Sequence, residues 1–464
     1  MMESARPRGG EGADGAPRGA GPAGTTVLVT GARGFLGARI VAALSQAGFR
    51  VIGGVRHPQR MAARGASAPC EYRAVDYTTQ LTPEAWLPAL DGVDIVVNAV
   101  GIFRETGRQT FDLLHRHAPI ALFGACARAR VRTVIQLSAL GADEDATTAY
   151  HLSKKAADDF LAAQPLHGVI LQPSLVFGPG GTSARLFGML STLPLLALPD
   201  GGRQRIQPVH VDDLVALVLR LAERHAHGLP LPRGRLPVVG PEPMTLRAYL
   251  EGLRQAYGQP GRLRVLPLGS ALMRLALPVI GLAMPGFLLD RDALSMLARG
   301  NTADAGPMRD ALGRAPRPVA RFVPPEWRRA ARSEAVLAWQ LPILRAAVGL
   351  VWIVTGVVSL GLYPVQESYA LLARAGVPAA LAPLALYGAA GLDLLFGVLC
   401  FTPWRSRLLW AAQAALILGY TVIISVRLPE FWLHPYGPLT KNLPMLAAIW
   451  LLGTLESKRW TMSR

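Results

Sequence analysis

Short apolar runs alternate with amphipathic stretches from residue 25 to about residue 240. The runs are rich in Val and Ile, and the stretches between them repeat apolar residues with the period of a helix. Strands alternating with helices predict βαβ units, and strands that are apolar throughout predict a parallel sheet covered on both faces. The expected fold class is therefore α/β with a doubly wound parallel sheet. The predicted strands lie within residues 25–30, 49–55, 72–77, 93–100, 131–138, 168–177 and 235–240.

The alternation stops at about residue 240, and residues 241–330 are predicted to form a smaller substrate subdomain of a domain that spans 25–330. One amphipathic helix is expected there at residues 244–258. The strongly apolar segment 272–289 is interrupted by two prolines, so it is more typical of a buried helix or a membrane-surface contact than of a span. Residues 1–24 are rich in Gly, Ala and Pro and are expected to be a disordered leader.

The C-terminal part of the chain, residues 340–456, predicts an all-α bundle of four transmembrane helices. Three apolar segments have the length of about 20 residues that a bilayer requires. The fourth has a shorter apolar core, which leaves a re-entrant or buried helix as the alternative. The predicted spans lie at about 341–363, 378–401, 408–426 and 440–456.

Basic residues flank these spans on one side of the predicted membrane. They precede the first span, separate the second from the third and follow the fourth, and by the positive-inside rule these places face the cytoplasm. The first domain is then cytoplasmic, on a multi-pass protein of a bacterial inner membrane. In the opposite loops, Arg374 lies near Glu367 in the sequence and Arg427 lies near Glu430. The flanking residues are Arg328, Arg329, Arg332, Arg405, Arg407, Lys458 and Arg459.

Asp393 lies near the middle of the second predicted span. A charge at that depth costs at least about 2.5–3.5 kcal/mol unless it is paired or hydrated. The carboxylate is therefore expected to face the bundle interior, with Arg345, Tyr387 or Lys441 as its partner. Two interpretations stay open: a protonated or hydrogen-bonded structural residue, and a proton or quinone site.

The formal charge of +17 comes almost entirely from arginine. Such an excess suits anionic lipid or phosphorylated ligands, but no block of like charges appears, so nucleic acid is excluded as a partner. Cys70, Cys126 and Cys400 lack the paired spacing of a disulfide framework or a zinc site. His115 and His117 are two residues apart on a predicted helix and do not share a face, so no metal site is expected.

A glycine-rich turn follows the first predicted strand, in the sequence VLVTGARGFLGARIVAAL. Gly31, Gly34 and Gly37 permit a tight turn, let the backbone approach a pyrophosphate and place it at the N-terminus of the next helix. The strand–turn–helix context predicts dinucleotide binding, with an ordinary glycine-rich turn as the alternative. The other residues of the turn expected at the cofactor are Arg33, Phe35 and Leu36.

The region after the second strand predicts the choice of cofactor. A site for NAD usually has an acidic residue about 20 positions after the glycines, where it holds the ribose 2′-hydroxyl. The stretch GGVRHPQR contains no acid. A guanidinium suits a 2′-phosphate, and Arg56 and Arg33 are the candidates. NADPH is therefore expected rather than NADH, unless these arginines only solvate a helix surface.

The sequence YHLSK places Tyr150 and Lys154 four residues apart, on one face of a predicted helix. A phenol has a pKa near 10 and needs a neighbouring cation before it is an effective acid–base group. Ser138 ends the preceding predicted strand. The alternative is two ordinary residues on an exposed helix. The next charged residues, Lys155, Asp158 and Asp159, are interpreted as a solvated helix surface.

The TGxxGxxG turn, the YHLSK sequence and LQPSLVFGPG after the sixth strand together resemble the short-chain dehydrogenase/reductase superfamily, whose domain is a Rossmann-type NAD(P)-binding fold. The resemblance covers about residues 25–240. It implies that Tyr150 gives a proton to a carbonyl as hydride arrives, that Lys154 lowers the pKa of Tyr150 and holds the nicotinamide ribose, and that Ser138 orients the substrate oxygen. It also implies cofactor contacts at Asp76, Tyr77, Ala99, Val100, Gly101, Pro173, Ser174 and Val176.

The strand-five sequence LSALGA departs from the two serines of many active relatives and resembles the extended and atypical branch of the superfamily. That branch includes an accessory subunit of respiratory complex I that holds NADPH without known turnover. A non-catalytic NADPH-binding subunit is therefore one alternative, and a nucleotide-sugar epimerase is another.

The sequence FWLHPYGPLTKNLPML, residues 431–446, resembles the DoxX-like family of small four-helix membrane domains. The two resemblances together predict a membrane-anchored, NADPH-dependent oxidoreductase. Its expected substrate is a lipophilic carbonyl, alcohol or quinone. The lipid bilayer is an expected partner, and a membrane protein is a further candidate.

Overall fold

The computed structural model describes residues 22–62, 70–259, 261–269, 272, 291–404 and 406–459. Most of the predicted leader, the apolar segment after residue 272 and Arg405 lie outside the described residues. The chain divides into two compact units, with the boundary between Arg332 and Ser333.

A seven-stranded parallel sheet forms the centre of the first unit, in the order β11-β6-β5-β4-β1-β2-β3. Each predicted strand contributes to it, which confirms the predicted fold class. The strands of the unit are β1 Thr26–Thr30, β2 Arg50–Val55, β3 Glu71–Ala74, β4 Ile95–Asn98, β5 Thr133–Leu137, β6 His167–Pro173, β7 Val176–Phe177, β8 Leu196–Pro199, β9 Arg205–Ile206, β10 Val209–His210, β11 Gly234–Val238, β12 Met244–Thr245 and β13 Val265–Leu268.

The predicted sixth strand is divided in the structure. β6 ends at Pro173, and Val176 and Phe177 pair instead with Val209 and His210 in a separate two-stranded ribbon. Ser174 still donates its backbone N–H to the Val238 carbonyl oxygen in the edge strand β11, so the chain leaves the sheet after this residue. The two residues that follow are free to pair elsewhere, above the carboxyl edge of the sheet.

Helices cover both faces of the sheet, and each face has its own apolar core. Val27 and Val29 of β1 pack on one side, while Leu28 packs on the other, as the alternation of a strand requires. A π-helical turn, Asp112–His117, leads into the fourth helix. The helices are α1 Gly37–Gln46, α2 Gln59–Ala62, α3 Pro83–Leu90, α4 Ala118–Arg128, α5 Ala149–Ala162, α6 Thr182–Thr192, α7 Val211–Ala226, α8 Leu246–Ala256, α9 Arg291–Arg299 and α10 Gly306–Leu312.

The second unit is helical. Three stretches are long and apolar enough to cross a membrane, Pro325–Leu362, Ala379–Phe401 and Arg407–Arg427, and a shorter apolar helix follows at Asn442–Glu456. All four helices that the sequence predicted for this unit are thus present. Among the described residues, three of them are long and apolar enough to span a membrane. The helices are α11 Arg328–Val357, α12 Val365–Arg374, α13 Ala382–Phe401, α14 Arg407–Arg427 and α15 Asn442–Arg459.

Two ion pairs connect distant parts of this helical unit. Arg374, at the end of α12, pairs with Glu430 rather than with the acid near it in sequence. This pair joins the loop before α13 to the loop after α14, so both loops lie on one side of the bundle. Within the bundle, Arg345 of α11 pairs with Glu456 of α15 at 2.8 Å.

Asp393 lies inside the bundle, with 5% of its surface exposed. Its predicted partners are placed elsewhere, since Arg345 pairs with Glu456 while Tyr387 and Lys441 are exposed. Among the described residues, Asp393 Oδ1 has no hydrogen-bond partner.

Candidate functional site

The order of the strands in the first unit reverses between β1 and β4. In a doubly wound sheet the carboxyl ends of the strands open into a crevice at such a point, and this crevice is where ligands bind. The glycine turn follows β1, residues 99–101 follow β4, and Ser138 follows β5. The predicted site residues therefore converge on one edge of the sheet.

The glycine turn has the close approach that a pyrophosphate site requires. Gly31 has a φ of +67°, which glycine adopts without strain. A Cβ on Gly37 would lie 2.1 Å from the Gly31 carbonyl oxygen, so α1 can start this close to the turn only with glycine there. Gly34 donates its N–H to Gly31 at 2.8 Å. The turn directs the N-terminus of α1 toward the crevice, which fits a bound phosphate.

Phe35 and Leu36 fix the turn in place. Leu36 packs against the apolar core, and the Phe35 ring lies under the Arg39 guanidinium at 4.6 Å. A Cβ on Gly181 would be 2.9 Å from the Phe35 ring. The segment that follows β7 is therefore held directly against the glycine turn.

Arg33 and Arg56 are both exposed at the carboxyl edge of the sheet, Arg33 in the glycine turn and Arg56 directly after β2. Residues 56–62, up to the end of the described part of α2, contain no Asp or Glu. Two guanidinium groups without a competing carboxylate fit the 2′-phosphate of NADPH.

Asp76 and Tyr77 form hydrogen bonds within the protein itself. The Asp76 carboxylate accepts from the Thr78 backbone N–H at 2.9 Å and from the Thr78 hydroxyl at 2.7 Å. Tyr77 is buried, and its hydroxyl bonds to Thr30 at 2.8 Å and to Asn98 at 2.7 Å. The Tyr77 side chain therefore belongs to the core beneath the crevice.

Residues 99–101 lie between the glycine turn and the candidate catalytic helix. A Cβ on Gly31 would be 3.0 Å from the Ala99 carbonyl oxygen, and a Cβ on Gly101 would be 3.4 Å from Lys154 Nζ. The Val100 carbonyl oxygen accepts from Lys154 Nζ at 3.4 Å. The small side chains of residues 99–101 thus leave a narrow gap beside Lys154.

Lys154 is buried on α5, which Thr148 caps by accepting the His151 backbone N–H. Its ammonium also donates to the Leu137 carbonyl oxygen at 3.0 Å. Within the described part of the chain, the two carbonyls account for two of the three ammonium N–H groups, and the third is available to a ribose hydroxyl. Burial lowers the pKa of Lys154 to about 8, against the opposing charge of Asp158. The ammonium form therefore dominates at neutral pH.

Tyr150 lies one turn before Lys154, in a group of aromatic rings. Its ring stacks on Phe103 with centroids 5.5 Å apart and meets the edges of Phe111 and His115 at 5.8 Å and 5.4 Å. Burial raises the pKa of the Tyr150 phenol, and the Asp158 carboxylate raises it further. This direction differs from the lowering by Lys154 that the family resemblance implies. The phenol therefore keeps its proton at neutral pH, and it is a weaker acid here than a free phenol.

Asp158 is a site residue that the sequence interpretation missed. Asp158 is 0% exposed, and its Oδ2 accepts a hydrogen bond from the Ser138 hydroxyl. The prediction of a solvated surface is therefore wrong for Asp158, because this residue falls on the buried face of α5. It is correct for Asp159, which is exposed and binds Lys155 at 2.7 Å. The spacing of four residues from Tyr150 to Lys154 and from Lys154 to Asp158 could have predicted that all three share one face of the helix.

His115 is the second missed residue. The π-helical turn directs its ring inward, where Nε2 accepts from the Ile102 backbone N–H at 3.0 Å and Nδ1 lies 3.2 Å from the Ser153 hydroxyl. Burial, aided by the charge of Lys154, lowers the pKa of His115 to about 2, so the ring is neutral. His117 is exposed and pairs with Asp112 at 3.2 Å. The two histidines thus lie on different faces, as their spacing predicts.

The segment after β6 completes the wall of the crevice. The Pro173 carbonyl oxygen accepts from the Leu140 N–H at 2.9 Å, and the buried Ser174 hydroxyl donates to the Gln207 carbonyl oxygen. The Val176 carbonyl oxygen accepts from the Ser183 hydroxyl at 2.8 Å. These bonds hold the segment rigidly beside the glycine turn.

Two family models match the chain. Residues 27–231 match the NAD dependent epimerase/dehydratase family, and residues 349–450 match the DoxX-like family. The two matched regions fall in the two units of the structure.

Two individual relatives each match part of the chain. A ceramide reductase of Caulobacter vibrioides is 26% identical over 248 residues, which are 50% of this chain and 75% of the relative. A mitochondrial NADH dehydrogenase alpha subcomplex subunit 9 of Arabidopsis thaliana is 25% identical over 205 residues, 42% of this chain and only 50% of that relative.

Among solved structures, an NADPH-dependent quinone oxidoreductase of Escherichia coli with bound NADPH is similar in fold. It has a TM-score of 0.50 and 19% identity, and the match covers 63% of this chain and 97% of that one. The chain therefore carries an NAD(P)-binding domain of the epimerase/dehydratase type in its N-terminal part and a DoxX-like domain in its C-terminal part.

Proposed function

We propose that the protein is a membrane-anchored reductase that uses NADPH to reduce a ketone of a membrane lipid, with a ceramide-type lipid as the substrate class. The observation that carries the proposal is the placement of the Tyr150 phenol one helical turn before the buried ammonium of Lys154, on the same face of α5. The similarity to a ceramide reductase supports the substrate class.

The chemistry needs one hydride and one proton. Bound NADPH supplies the hydride, and with it two electrons, to the carbonyl carbon. The Tyr150 hydroxyl gives its proton to the carbonyl oxygen, so the ketone becomes a secondary alcohol. The adjacent Lys154 ammonium stabilises the phenolate that is left. The phenolate recovers a proton from solvent after the product leaves.

Two features support a lipophilic substrate. Phe103 is 68% exposed although its ring stacks on Tyr150, so an apolar surface borders the proton donor. The same chain carries apolar helices, and a membrane anchor raises the local concentration of a lipid substrate. With the basic flanks of the helices in the cytoplasm, the reductase domain would work at the cytoplasmic face of a bacterial inner membrane.

Arg56→Glu is expected to reduce the preference for NADPH over NADH. Loss of one charge-assisted hydrogen bond, about 1.5–3 kcal/mol, corresponds to a decrease of about 10- to 100-fold in the ratio of kcat/KM for the two cofactors. Arg309→Glu is the matched control, since Arg309 is exposed on α10, which packs on β11 at the other end of the sheet from β2. An unchanged ratio in Arg56→Glu would contradict the assignment of Arg56 to the 2′-phosphate.

Phe103→Ala is expected to raise the KM for a long-chain lipid ketone while a small water-soluble ketone is little affected. Covering a phenylalanine with an apolar chain is worth about 1.5–3 kcal/mol, or a factor of about 10 or more in KM. Leu152→Ala is the control, because Leu152 is an exposed apolar residue of the same helix as Tyr150. Equal effects on both ketones would exclude Phe103 as a lipid contact.

A second function is favoured by one observation. Ser138 donates its only proton to Asp158, so in this arrangement it has none to donate to a substrate carbonyl. A domain that binds NADPH without turnover is consistent with this bond and with the similarity to the NADH dehydrogenase subunit. It predicts NADPH that binds tightly and stays unoxidised with every lipid ketone and quinone offered.

A further inference from the structure

We propose that Asp158 is a positioning residue for the carbonyl reduction. Its carboxylate holds the Ser138 hydroxyl and supplies the negative charge that keeps the buried Lys154 side chain in its ammonium form. This inference rests on the proposed function. It adds a fourth side chain to the serine, tyrosine and lysine that the sequence pattern predicts.

The geometry isolates Asp158 from solvent. Asp158 lies on α5, one helical turn after Lys154, and faces the carboxyl end of β5. Its Oδ2 accepts the Ser138 hydroxyl proton, while Oδ1 has no hydrogen-bond partner among the residues that the structure describes. The Ser138 hydroxyl and the more weakly interacting Gln136 amide are neutral donors, and they solvate a buried carboxylate too poorly to keep it charged without a nearby cation.

The groups that face Asp158 come from three elements. Lys154 lies on the same helix as Asp158. Gln136 lies on β5, Ser138 directly follows β5, and Arg235 lies on β11. Arg235 is an ion-pair partner of Asp159, on the outer side of the helix, and acts on Asp158 only at longer range. Lys154 is therefore the buried cation whose charge acts on Asp158.

The two buried charges depend on one another. Burial raises the pKa of Asp158 to about 6, and the Ser138 hydrogen bond and the Lys154 charge oppose this rise. Burial lowers the pKa of Lys154, and Asp158 opposes that fall. Between these two values the ionised carboxylate and the ammonium coexist. Removal of the carboxylate charge lowers the pKa of Lys154 further, so the ammonium is lost at lower pH.

The hydrogen bond has a second consequence. Because the Ser138 proton is directed to Asp158, the substrate carbonyl takes its hydrogen bond from Tyr150. An asparagine at position 158 can still accept from Ser138 through its amide oxygen, but it carries no charge. Asp158→Asn therefore separates the electrostatic role of Asp158 from its hydrogen bond.

The test is the pH profile of kcat/KM for reduction of a lipid ketone by the full-length, detergent-solubilised protein. The rate is expected to fall as pH rises through the pKa of Lys154, and this alkaline limb should move to lower pH in Asp158→Asn. If the limb moves by one pH unit, the factor by which Asp158→Asn lowers kcat/KM should be about tenfold larger at about pH 9 than at about pH 6. Asp159→Asn, a change at the exposed neighbour, should keep the wild-type profile. An alkaline limb that is the same in Asp158→Asn and the wild type would overturn the proposal.

Two further measurements apply if Asp158→Asn does not fold or if the wild type shows no activity. If Asp158→Asn does not fold, Asp158→Glu is the substitute variant, because it keeps the negative charge. The alkaline limb of its pH profile should stay at the wild-type pH even if kcat falls. A displaced alkaline limb would count against the proposal. If the wild type reduces no lipid ketone, the proposed function fails, but the pH dependence of NADPH affinity still reports on Lys154. That affinity should then weaken at lower pH in Asp158→Asn than in the wild type, and coinciding curves would overturn the role of Asp158.

Discussion

Tyr150→Phe is expected to lower kcat for lipid-ketone reduction by about 100- to 10,000-fold, the usual contribution of a positioned proton donor. The substitution removes the hydroxyl and keeps the ring, so the contacts with Phe103 and Phe111 persist. NADPH affinity should therefore stay near that of the wild type. The measurement is the loss of NADPH absorbance with a short-chain keto-ceramide, beside a fluorescence titration of NADPH binding.

Tyr249→Phe provides the control for Tyr150→Phe. Tyr249 is buried on α8 of the same unit, so the variant removes a phenol hydroxyl from the same fold at a different place. It should turn over like the wild type. Wild-type kcat in Tyr150→Phe would show that another group protonates the carbonyl and would remove the basis of the proposed function.

Gly37→Ala is the second change with a large expected effect. The added Cβ would lie 2.1 Å from the Gly31 carbonyl oxygen, so the turn and the start of α1 must separate. Overpacking of this kind costs about 1–3 kcal/mol of the free energy of unfolding. NADPH affinity should fall at least about tenfold, because the backbone N–H groups that would hold the pyrophosphate move away.

Gly34→Ala is the matched change within the same turn. Its Cβ would lie 3.2 Å from the same carbonyl oxygen, which a small adjustment can relieve. Its thermal unfolding without cofactor should stay close to that of the wild type, while Gly37→Ala unfolds at a lower temperature. Wild-type NADPH affinity in Gly37→Ala would mean that the cofactor does not bind at this turn.

The features that the sequence predicted well are those that depend on local pattern. Most strands of the sheet are short apolar runs, and the glycine turn needs residues that lie next to one another in the chain. Tyr150 and Lys154 are also predictable, because four residues along a helix lead to the same face. Lys154 is buried where this face packs on the end of β5, and Tyr150 is partly buried among aromatic rings from other segments.

The features that the sequence did not predict depend on contacts between distant segments. Asp158 meets Ser138 across 20 residues, and only the packing of α5 on the sheet decides that Asp158 is inside while Asp159 is outside. His115 reaches the site because a π-helical turn redirects it. The hydrogen bonds of the Tyr77 hydroxyl to Thr30 of β1 and Asn98 of β4 likewise join distant segments.

The membrane unit illustrates the same limit. Apolar length predicted its helices, but the ion pair of Arg345 with Glu456 joins residues 111 positions apart and has no local signal. It also removes one of the three partners that the sequence offered to Asp393. The helix α12 was not expected, because its ten residues lie in what composition alone identifies as a loop.

The transfer of deuterium from the cofactor tests the central claim most directly. The wild-type protein would be incubated with NADPH deuterated on the transferred position of the nicotinamide and with a keto-ceramide, and the lipid product examined by mass spectrometry. Reduction as proposed predicts an alcohol with one deuterium on the carbon that carried the ketone oxygen, and no such product from Tyr150→Phe. Bound cofactor that remains fully deuterated, with no labelled alcohol, would contradict a reductase and favour a domain that holds NADPH without using it.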